Sequence, residues 1–379
     1  MNLTLTDEQK TLQRTARALF AKECPPSLVR ELQAPDSGGM PAELWKGLAD
    51  MGIFGMAFPP ELNGEGASLF DLGLVYEEAG RVLCPTLVYS TLGFGLAVLR
   101  LANRELAAKW IPRLVRGDLR ASVAAWNPSD SSDVEPQLVA EWHDGTWHIS
   151  GVLEFVANAD VVDVILASAR TSGEGQPART LAVVLDPEQK GLTIKRHRTL
   201  ARDIQCRVEI NGAVSDSSSV IGVDRGTIPD EDLHWISNAV TALQCMEMVG
   251  GAQAVLDRTV EYTKERNQFN RPIASFQAAQ HLVANTRIAI DGARLVAYQA
   301  AWWVGAGAVA EREVSIAKLK CNEAYKGATL TAHQLHGGMG YLREMDLHLW
   351  SERAKATELM GGAWGTQIRR LERALRFAP

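Results

Sequence analysis

The sequence has few cysteines, and none is placed in a recognisable metal or disulfide motif. The five residues are odd in number, widely spaced and free of CxxC pairs: Cys24, Cys84, Cys206, Cys245 and Cys321. Such usage is typical of reduced thiols and argues against a disulfide framework or a zinc site. We therefore predict a cytoplasmic protein without a metal.

The chain also lacks long runs of one charge and an apolar N-terminal segment. Its formal net charge is -6, and the basic cluster Lys195-Arg196-His197-Arg198 is isolated, so a nucleic-acid binder is not expected. Residues 1–8 are polar and acidic rather than basic and then apolar, which predicts neither a signal peptide nor a membrane span. A length of 379 residues predicts two or three sub-domains.

The spacing of apolar residues divides the chain into three regions. Up to about residue 119 the spacing is three or four, with Thr6 or Asp7 as a helix cap, which predicts helices. Short alternating and β-branched runs follow, and His143-Asp144-Gly145 indicates a hairpin turn. Beyond about residue 226, long helical patterns near 231–266, 274–306 and 309–336 favour an antiparallel bundle. The absence of βαβ alternation argues against a doubly wound nucleotide-binding sheet.

Two segments of the C-terminal region have residues suited to a nucleotide diphosphate. In Arg266-Asn267-Gln268-Phe269-Asn270-Arg271-Pro272-Ile273, followed by Phe276, Gln277 and Gln280, a guanidinium lies beside an amide and an aromatic ring, a combination suited to a pyrophosphate and its adenosine. In Gln334-Leu335-His336-Gly337-Gly338-Met339-Gly340-Tyr341, the glycines allow a backbone to come close to a phosphate.

These segments resemble R-x-Q-F-G-x-P-I-x-x-F-Q-x-x-Q and Q-x-x-G-G-x-G-Y of the acyl-CoA dehydrogenase family. Trp45-Lys46-Gly47-Leu48 and the loop at 60–66 also resemble it, so the resemblance covers essentially the whole chain. It implies an α+β fold class, mainly α: an N-terminal helical domain (1–119), a middle β-barrel or sandwich domain (120–226) and a C-terminal four-helix bundle (227–379).

In the family, the two segments reach the FAD of a neighbouring subunit. The resemblance therefore implies FAD shared at a subunit interface. It also implies the following cofactor-binding residues: Arg266, Gln268, Phe269, Gln277, Gln334, Gly337, Gly338 and Gln367.

The segment from Glu352 to Gly362 resembles the family's R-D-A-K-x-x-x-I-Y-E-G-T, but the catalytic Glu of that pattern falls on Gly361. Other members carry the base on the first long bundle helix, where this chain has Val240. The family's reaction needs a carboxylate to take the α-proton of an acyl-CoA while the β-hydrogen leaves as hydride to the flavin. Both usual positions for the base therefore lack a carboxylate.

Glu247 is the candidate substitute base, because it lies seven residues after Val240 in an otherwise apolar run. A carboxyl group in such surroundings can act as a base, but it can also pair with a bundle or interface cation. Glu358 falls where the family also has Glu, and we interpret it as structural.

The middle region departs from the family where flavin contacts are expected. The family's T-E-P-x-x-G-S-D is replaced by Trp126-Asn127-Pro128-Ser129-Asp130-Ser131-Ser132-Asp133, and the Thr of W-I-T-N by Ala157, which has no hydroxyl. Ser131 and Ser132 lack evident triad partners. His336 is interpreted as a capping or packing residue, and Trp302-Trp303 as interface or core aromatics.

Three hypotheses follow. In the first, the chain is the subunit without the catalytic base in a heterotetrameric acyl-CoA dehydrogenase, as in steroid side-chain degradation, and a homologous partner carries the catalytic Glu. An electron-transferring flavoprotein is then the implied electron acceptor. In the second, it is an active homo-oligomer that uses Glu247 or another unusual base. In the third, it is a binding or assembly protein, or a non-redox enzyme, that has lost flavin.

Overall fold

The computed structural model describes residues 4–34, 37, 39–172, 177–222 and 226–375. Helices dominate the N-terminal region, as the apolar spacing predicts. They are α1 (Asp7–Glu23), α2 (Pro26–Leu32), α3 (Ala42–Asp50), α4 (Leu69–Arg81), α5 (Thr86–Leu101) and α6 (Arg104–Val115). The predicted start at Thr6 is confirmed, since its hydroxyl accepts from the Gln9 amide at 3.2 Å and the Gln9 side chain accepts from the Thr6 amide at 3.0 Å, a reciprocal capping box.

Strands fill the middle region. They are β1 (Ala121–Ala124), β2 (Leu138–His143), β3 (Thr146–Ala157), β4 (Val164–Thr171), β5 (Thr180–Leu185), β6 (Leu192–Arg196), β7 (Gln205–Ser215) and β8 (Val220–Ile221). The predicted hairpin between β2 and β3 is confirmed. Its turn residues Asp144 (φ 50°) and Gly145 (φ 84°) are both left-handed, as a tight two-residue connection requires.

These strands form one open sheet in the order β6-β7-β3-β2-β4-β5-β8, with β1 pairing to β4. Both β1 and β2 run parallel to β4, and the other pairs are antiparallel. Within the described ranges the end strands β6 and β8 do not pair, so the predicted barrel or sandwich is corrected to a single unclosed sheet. Alternating residues specify which face of a strand is buried, whereas closure depends on strand tilt and stagger.

Helices return in the C-terminal region, which confirms the predicted helical domain. The elements are α7 (Asp230–Glu265), β9 (Asn267–Gln268), β10 (Arg271–Pro272), α8 (Gln277–Gly305), α9 (Glu311–His336), α10 (Leu347–Leu359) and α11 (Trp364–Ala374). The long helix α7 is apolar enough to cross a membrane, but 89% of its apolar window is buried. It is therefore a core helix of the fold.

The chain divides into two compact units, each assembled from segments distant in sequence. The helical unit contains the described residues of Met1–Glu31, Leu69–Cys84 and Thr241–Pro379. The sheet unit contains those of Leu32–Ser68 and Pro85–Val240. The division into three consecutive domains stays a prediction, and Asp224 and Arg225, beside its second boundary, lie outside the described residues.

Close contact between α4 and α7 builds the core of the helical unit. A Cβ atom on Gly80 would lie 2.0 Å from the Glu247 carbonyl oxygen, and one on Gly250 would lie 1.7 Å from that of Glu77. No side chain fits at either position, so glycine sets how closely the helices approach. This contact fixes where the backbone of Glu247 lies relative to α4.

Candidate functional site

An exposed hairpin, residues 266–273, connects α7 to α8. Strands β9 and β10 are antiparallel, with Arg271 opposite Gln268, and the Ile273 amide donates to the Arg266 carbonyl at 3.0 Å. The turn residues Phe269 (φ 53°) and Asn270 (φ 62°) are both left-handed. Two such non-glycine residues in succession are uncommon, and Asn270 stands where the family's segment has glycine. Asn270 therefore has, at this position, a left-handed backbone conformation that glycine adopts readily.

The side chains of this exposed hairpin point away from the chain's own core. Phe269 is 87% exposed, and Arg266 and Gln268 are exposed too. Within the described ranges the Arg266 guanidinium forms no ion pair. An outlying backbone conformation that presents an unburied aromatic ring and a cation is more typical of a binding element than of a folding element.

A glycine turn, Gly337–Tyr341, follows α9. Gly337 has φ 57° and ψ -137°, a combination open only to glycine. Neither Gly337 nor Gly338 has a heavy atom within 4 Å of a Cβ position, so the backbone there is open to approach. Gln334, in the last turn of α9, is exposed, as expected for a residue beside a ligand.

These features fit the diphosphate half of FAD. Arg266 would supply a charge for the phosphate oxygens, the open backbone at Gly337 and Gly338 would leave room for them, and Gln334 and Gln277 have exposed amides. FAD, when bound, supplies the acceptor for the hydride of the substrate. The cofactor assignments to these residues stay predictions, and the geometry is compatible with them.

Gln367 differs from the other predicted cofactor residues because it is fully buried. Its Nε2 donates to the Gly361 carbonyl at 2.7 Å. Gly361 and Gly362 are both left-handed, with φ 69° and 110°. In this chain Gln367 therefore holds the backbone at the position where the family carries its catalytic Glu.

Glu247 is buried in an ion pair. Its Oε1 lies 3.0 Å from Nη1 of Arg353, and the two side chains are 6% and 13% exposed. Arg353 stands where the family's R-D-A-K segment has Asp, so Glu247 supplies the counter-charge for that arginine. Breaking a buried pair costs about 3–5 kcal/mol, which disfavours Glu247 as a freely available base.

Val240 and Glu358 have packing and ion-pair roles in the structure. In the sheet unit, a Cβ atom on Gly93 would lie 3.4 Å from Cγ2 of Val240. In the helical unit, the Glu358 carboxylate accepts from Lys326 at 2.8 Å and Lys355 at 2.9 Å. Burial, the largest single influence, raises the pKa of Glu358, but the hydrogen bonds and positive charges of the two lysines together outweigh it and leave the pKa below its ordinary value. Glu358 is thus stably ionised.

In the sheet unit, the segments aligned with the family's flavin contacts satisfy their own polar groups. Asn127 donates from Nδ2 to Asp133 at 3.0 Å and accepts from the Ser129 amide at 2.9 Å. Asn158 is buried and donates to Ser90 at 3.1 Å. The frame of these segments is therefore intact, while Ala157 has no hydroxyl to offer a flavin ring.

The remaining predicted residues have ordinary environments. The Ser132 hydroxyl donates to Asp130 at 2.6 Å, and Ser131 is buried. Trp302 and Trp303 contact each other edge to face at 5.1 Å and are each 38% exposed. His336 is 7% exposed, and burial lowers its pKa, so it packs as a neutral ring at neutral pH.

Sequence reasoning missed two residues. Arg353 could have been found from its substitution for an Asp, since a charge of reversed sign at that position needs a new partner. Tyr262 carried no pattern at all, yet its ring stacks on His336 with centroids 4.1 Å apart. Contacts of this kind depend on residues 74 positions apart and leave no local signal.

The order of helices, open sheet and helices is that expected for the acyl-CoA dehydrogenase class of proteins. Residues 6–118 match the acyl-CoA dehydrogenase N-terminal domain, and residues 240–376 match the C-terminal domain. The 3-sulfinopropanoyl-CoA desulfinase of Paraburkholderia xenovorans is 30% identical, over 94% of this chain and 93% of the relative.

Two solved structures have the same fold over the full length. The ChsE4-ChsE5 complex from Mycobacterium tuberculosis gives a TM-score of 0.87 at 28% identity and covers 100% of both chains. A variant of the Tcur3481-Tcur3483 steroid ACAD gives 0.85 at 25% identity and covers 99% of each. The chain belongs to the acyl-CoA dehydrogenase family of oxidoreductases acting on CH–CH groups, whose proteins bind FAD.

Proposed function

We propose that this chain is the subunit without the catalytic base in a heteromeric acyl-CoA dehydrogenase. It contributes the diphosphate side of a FAD site, and a homologous partner contributes the base. The observation that carries the proposal is the contrast between Gly361, left-handed and held by Gln367, and the exposed hairpin with its outward Arg266 and Phe269.

The chain's own residues divide the work as follows. Arg266, Gln268 and Phe269 bind and orient the nucleotide, and the open backbone at Gly337 and Gly338 accommodates the phosphates. The partner's carboxylate takes the α-proton of the acyl-CoA. Electron-transferring flavoprotein then accepts the electrons, by analogy with the family.

Within this proposal the substrate is a steroid side-chain thioester and the assembly a heterotetramer; the neighbouring structures support a steroid substrate and an assembly of two different chains. One of them is a complex of two named chains, and the other is described as a steroid ACAD. A four-helix arrangement of the bundle and a cytoplasmic location are part of the same proposal.

The test is activity of the chain alone and after co-expression with a family relative that carries the catalytic Glu. With an acyl-CoA and an artificial electron acceptor, we expect turnover only by the mixed complex. Replacing the catalytic Glu of the relative by Gln should abolish that turnover. Turnover by the isolated chain would overturn the proposal and favour a homo-oligomer with an unusual base such as Glu247.

A second candidate is a non-redox enzyme on this fold. The observation that favours it is the 30% identity to a relative named for desulfination rather than dehydrogenation, together with Ala157 in place of a flavin-contacting Thr. A mixed complex that binds no flavin would support this second candidate.

A further inference from the structure

We infer that Tyr262 and His336 are positioning residues that hold the exposed hairpin and the glycine turn together as one nucleotide-binding surface. The inference rests on the proposed function. It adds that the two segments act as a unit and assigns the contact that couples them.

The contact is a parallel stack supported by a hydrogen bond. The ring centroids of Tyr262 and His336 are 4.1 Å apart at an interplanar angle of 18°, and the Tyr262 hydroxyl donates to the His336 carbonyl at 3.4 Å. His336 Nδ1 lies 2.8 Å from the Ala332 carbonyl. Since a carbonyl only accepts, Nδ1 carries the proton, which fixes the tautomer and the orientation of the ring.

Each ring is attached directly to one of the two segments. The Arg266 amide donates to the Tyr262 carbonyl at 2.9 Å, so Tyr262 lies one helical turn before the exposed hairpin. His336 immediately precedes Gly337, where the backbone leaves α9 with φ 57°. A shift of either ring therefore moves the backbone that carries Arg266 or the backbone that is open to the phosphates.

A separate contact holds the far end of the glycine turn. Tyr341 stacks on His333 at 5.0 Å, and His333 Nε2 lies 2.7 Å from the Ser351 hydroxyl of α10. That contact connects the turn to α10 and not to the hairpin. Loss of the Tyr262 ring would thus leave the turn attached at one end but free to move relative to Arg266.

The test uses the full chain co-expressed with its partner and FAD as the probe. Tyr262→Leu removes the stack. Tyr262→Met is a second variant without the ring, and its side chain is similar in volume to leucine. Tyr262→Phe keeps the ring. Phe70→Leu is the matched control, because it removes an aromatic contact with Tyr298 at 5.1 Å elsewhere in the helical unit. FAD affinity is measured by flavin fluorescence, and stability by thermal unfolding of the same samples.

We expect Tyr262→Leu and Tyr262→Met to weaken FAD binding by about threefold to tenfold, the size of one aromatic pair. Tyr262→Phe should restore most of the affinity, and Phe70→Leu should lower the unfolding temperature without changing FAD affinity. Combined with Arg266→Ala, the effect of Tyr262→Leu should be smaller than in the wild-type background, because the ring acts through Arg266.

Wild-type FAD affinity in both Tyr262→Leu and Tyr262→Met, or equal losses for Tyr262→Phe and Tyr262→Leu, would overturn the inference. The Arg266→Ala variant separates this failure from that of the proposed function. If Arg266→Ala weakens FAD binding and Tyr262→Leu does not, only the positioning role is wrong. If neither weakens it, the chain does not contribute to the cofactor site and both proposals fail.

Discussion

The sheet unit and the helical unit differ in the segments that align with the family's flavin contacts. In the sheet unit, the segments aligned with flavin contacts bond to themselves, as Asn127 does to Asp133, and Ala157 lacks the hydroxyl. In the helical unit, the exposed hairpin and the glycine turn present Arg266, Phe269 and open backbone outward. Under the proposed function, the changed residues are those of the chain's own site, and the exposed residues are those that serve a neighbour's cofactor.

Under the proposed function, the fold keeps its frame while its chemistry is divided between two chains. Asn158 and Glu358 remain because they hold the fold through buried hydrogen bonds and ion pairs. At Gly361 the backbone is held by a hydrogen bond from Gln367, but the position has no carboxylate.

The largest expected effect concerns Glu247. In Glu247→Gln, the buried Arg353 loses its counter-charge, so the free energy of unfolding should fall by about 3–5 kcal/mol. Urea unfolding of the isolated chain measures it. The matched control is Glu323→Gln, whose carboxylate pairs with Lys320 at 2.9 Å while 69% exposed, and which should change stability by less than about 1 kcal/mol.

Unchanged stability of the Glu247→Gln variant would contradict this structural role. If the mixed complex also lost turnover, Glu247 would be a catalytic residue instead. The double variant Glu247→Leu with Arg353→Met sharpens the test. It replaces both charges by apolar groups and should recover much of the lost stability, because neither ion is then left buried alone.

The next effect concerns Arg266. In the mixed complex, Arg266→Ala should weaken FAD binding by about tenfold to a hundredfold, since a charged hydrogen bond contributes about 1.5–3 kcal/mol. Equilibrium dialysis against FAD measures the change. Arg287→Ala is the control, because Arg287 pairs with Asp291 on the exposed face of α8; equal losses in both variants would show that Arg266 has no special role.

An attempt to restore the missing catalytic and flavin-contacting groups, one in each unit, should fail. Gly361→Glu combined with Ala157→Thr returns the two missing groups, but Gly361 has φ 69°, so a Glu there should cost about 1–2 kcal/mol of stability. We expect no flavin and no turnover from this variant alone. A yellow, active isolated chain would show that the two substitutions are the whole difference from a complete enzyme.

The smallest effect concerns the turn of the exposed hairpin. Asn270 has φ 62°, so Asn270→Gly should leave FAD binding in the complex unchanged. Asn270→Val should weaken it by about tenfold or less, because a β-branched residue resists the left-handed region. Flavin fluorescence on both variants measures the difference, and identical affinities would mean that the turn conformation is not used.

The helices and the hairpin turn could be predicted from the sequence, because each depends on residues close together in the chain, whereas the cofactor role of the exposed hairpin and the glycine turn stays a prediction. Thr6 and Gln9 form their cap locally, and the Asp144-Gly145 turn needs only its own backbone. The predicted closure of the sheet was wrong, since closure depends on the tilt and stagger of all strands and not on local sequence. An ion pair of Glu247 was one of the two alternatives, but its partner Arg353 and the contact of Tyr262 with His336 were missed, because these contacts join distant helices.

The central claim is that the flavin site exists only between two different chains. A visible absorption spectrum with mass determination, on the chain purified alone and after co-expression with a family relative that carries the catalytic Glu, tests it most directly. We predict a colourless isolated chain and a yellow mixed complex with flavin in stoichiometric amount. Stoichiometric flavin in a homo-oligomer of this chain would contradict the account.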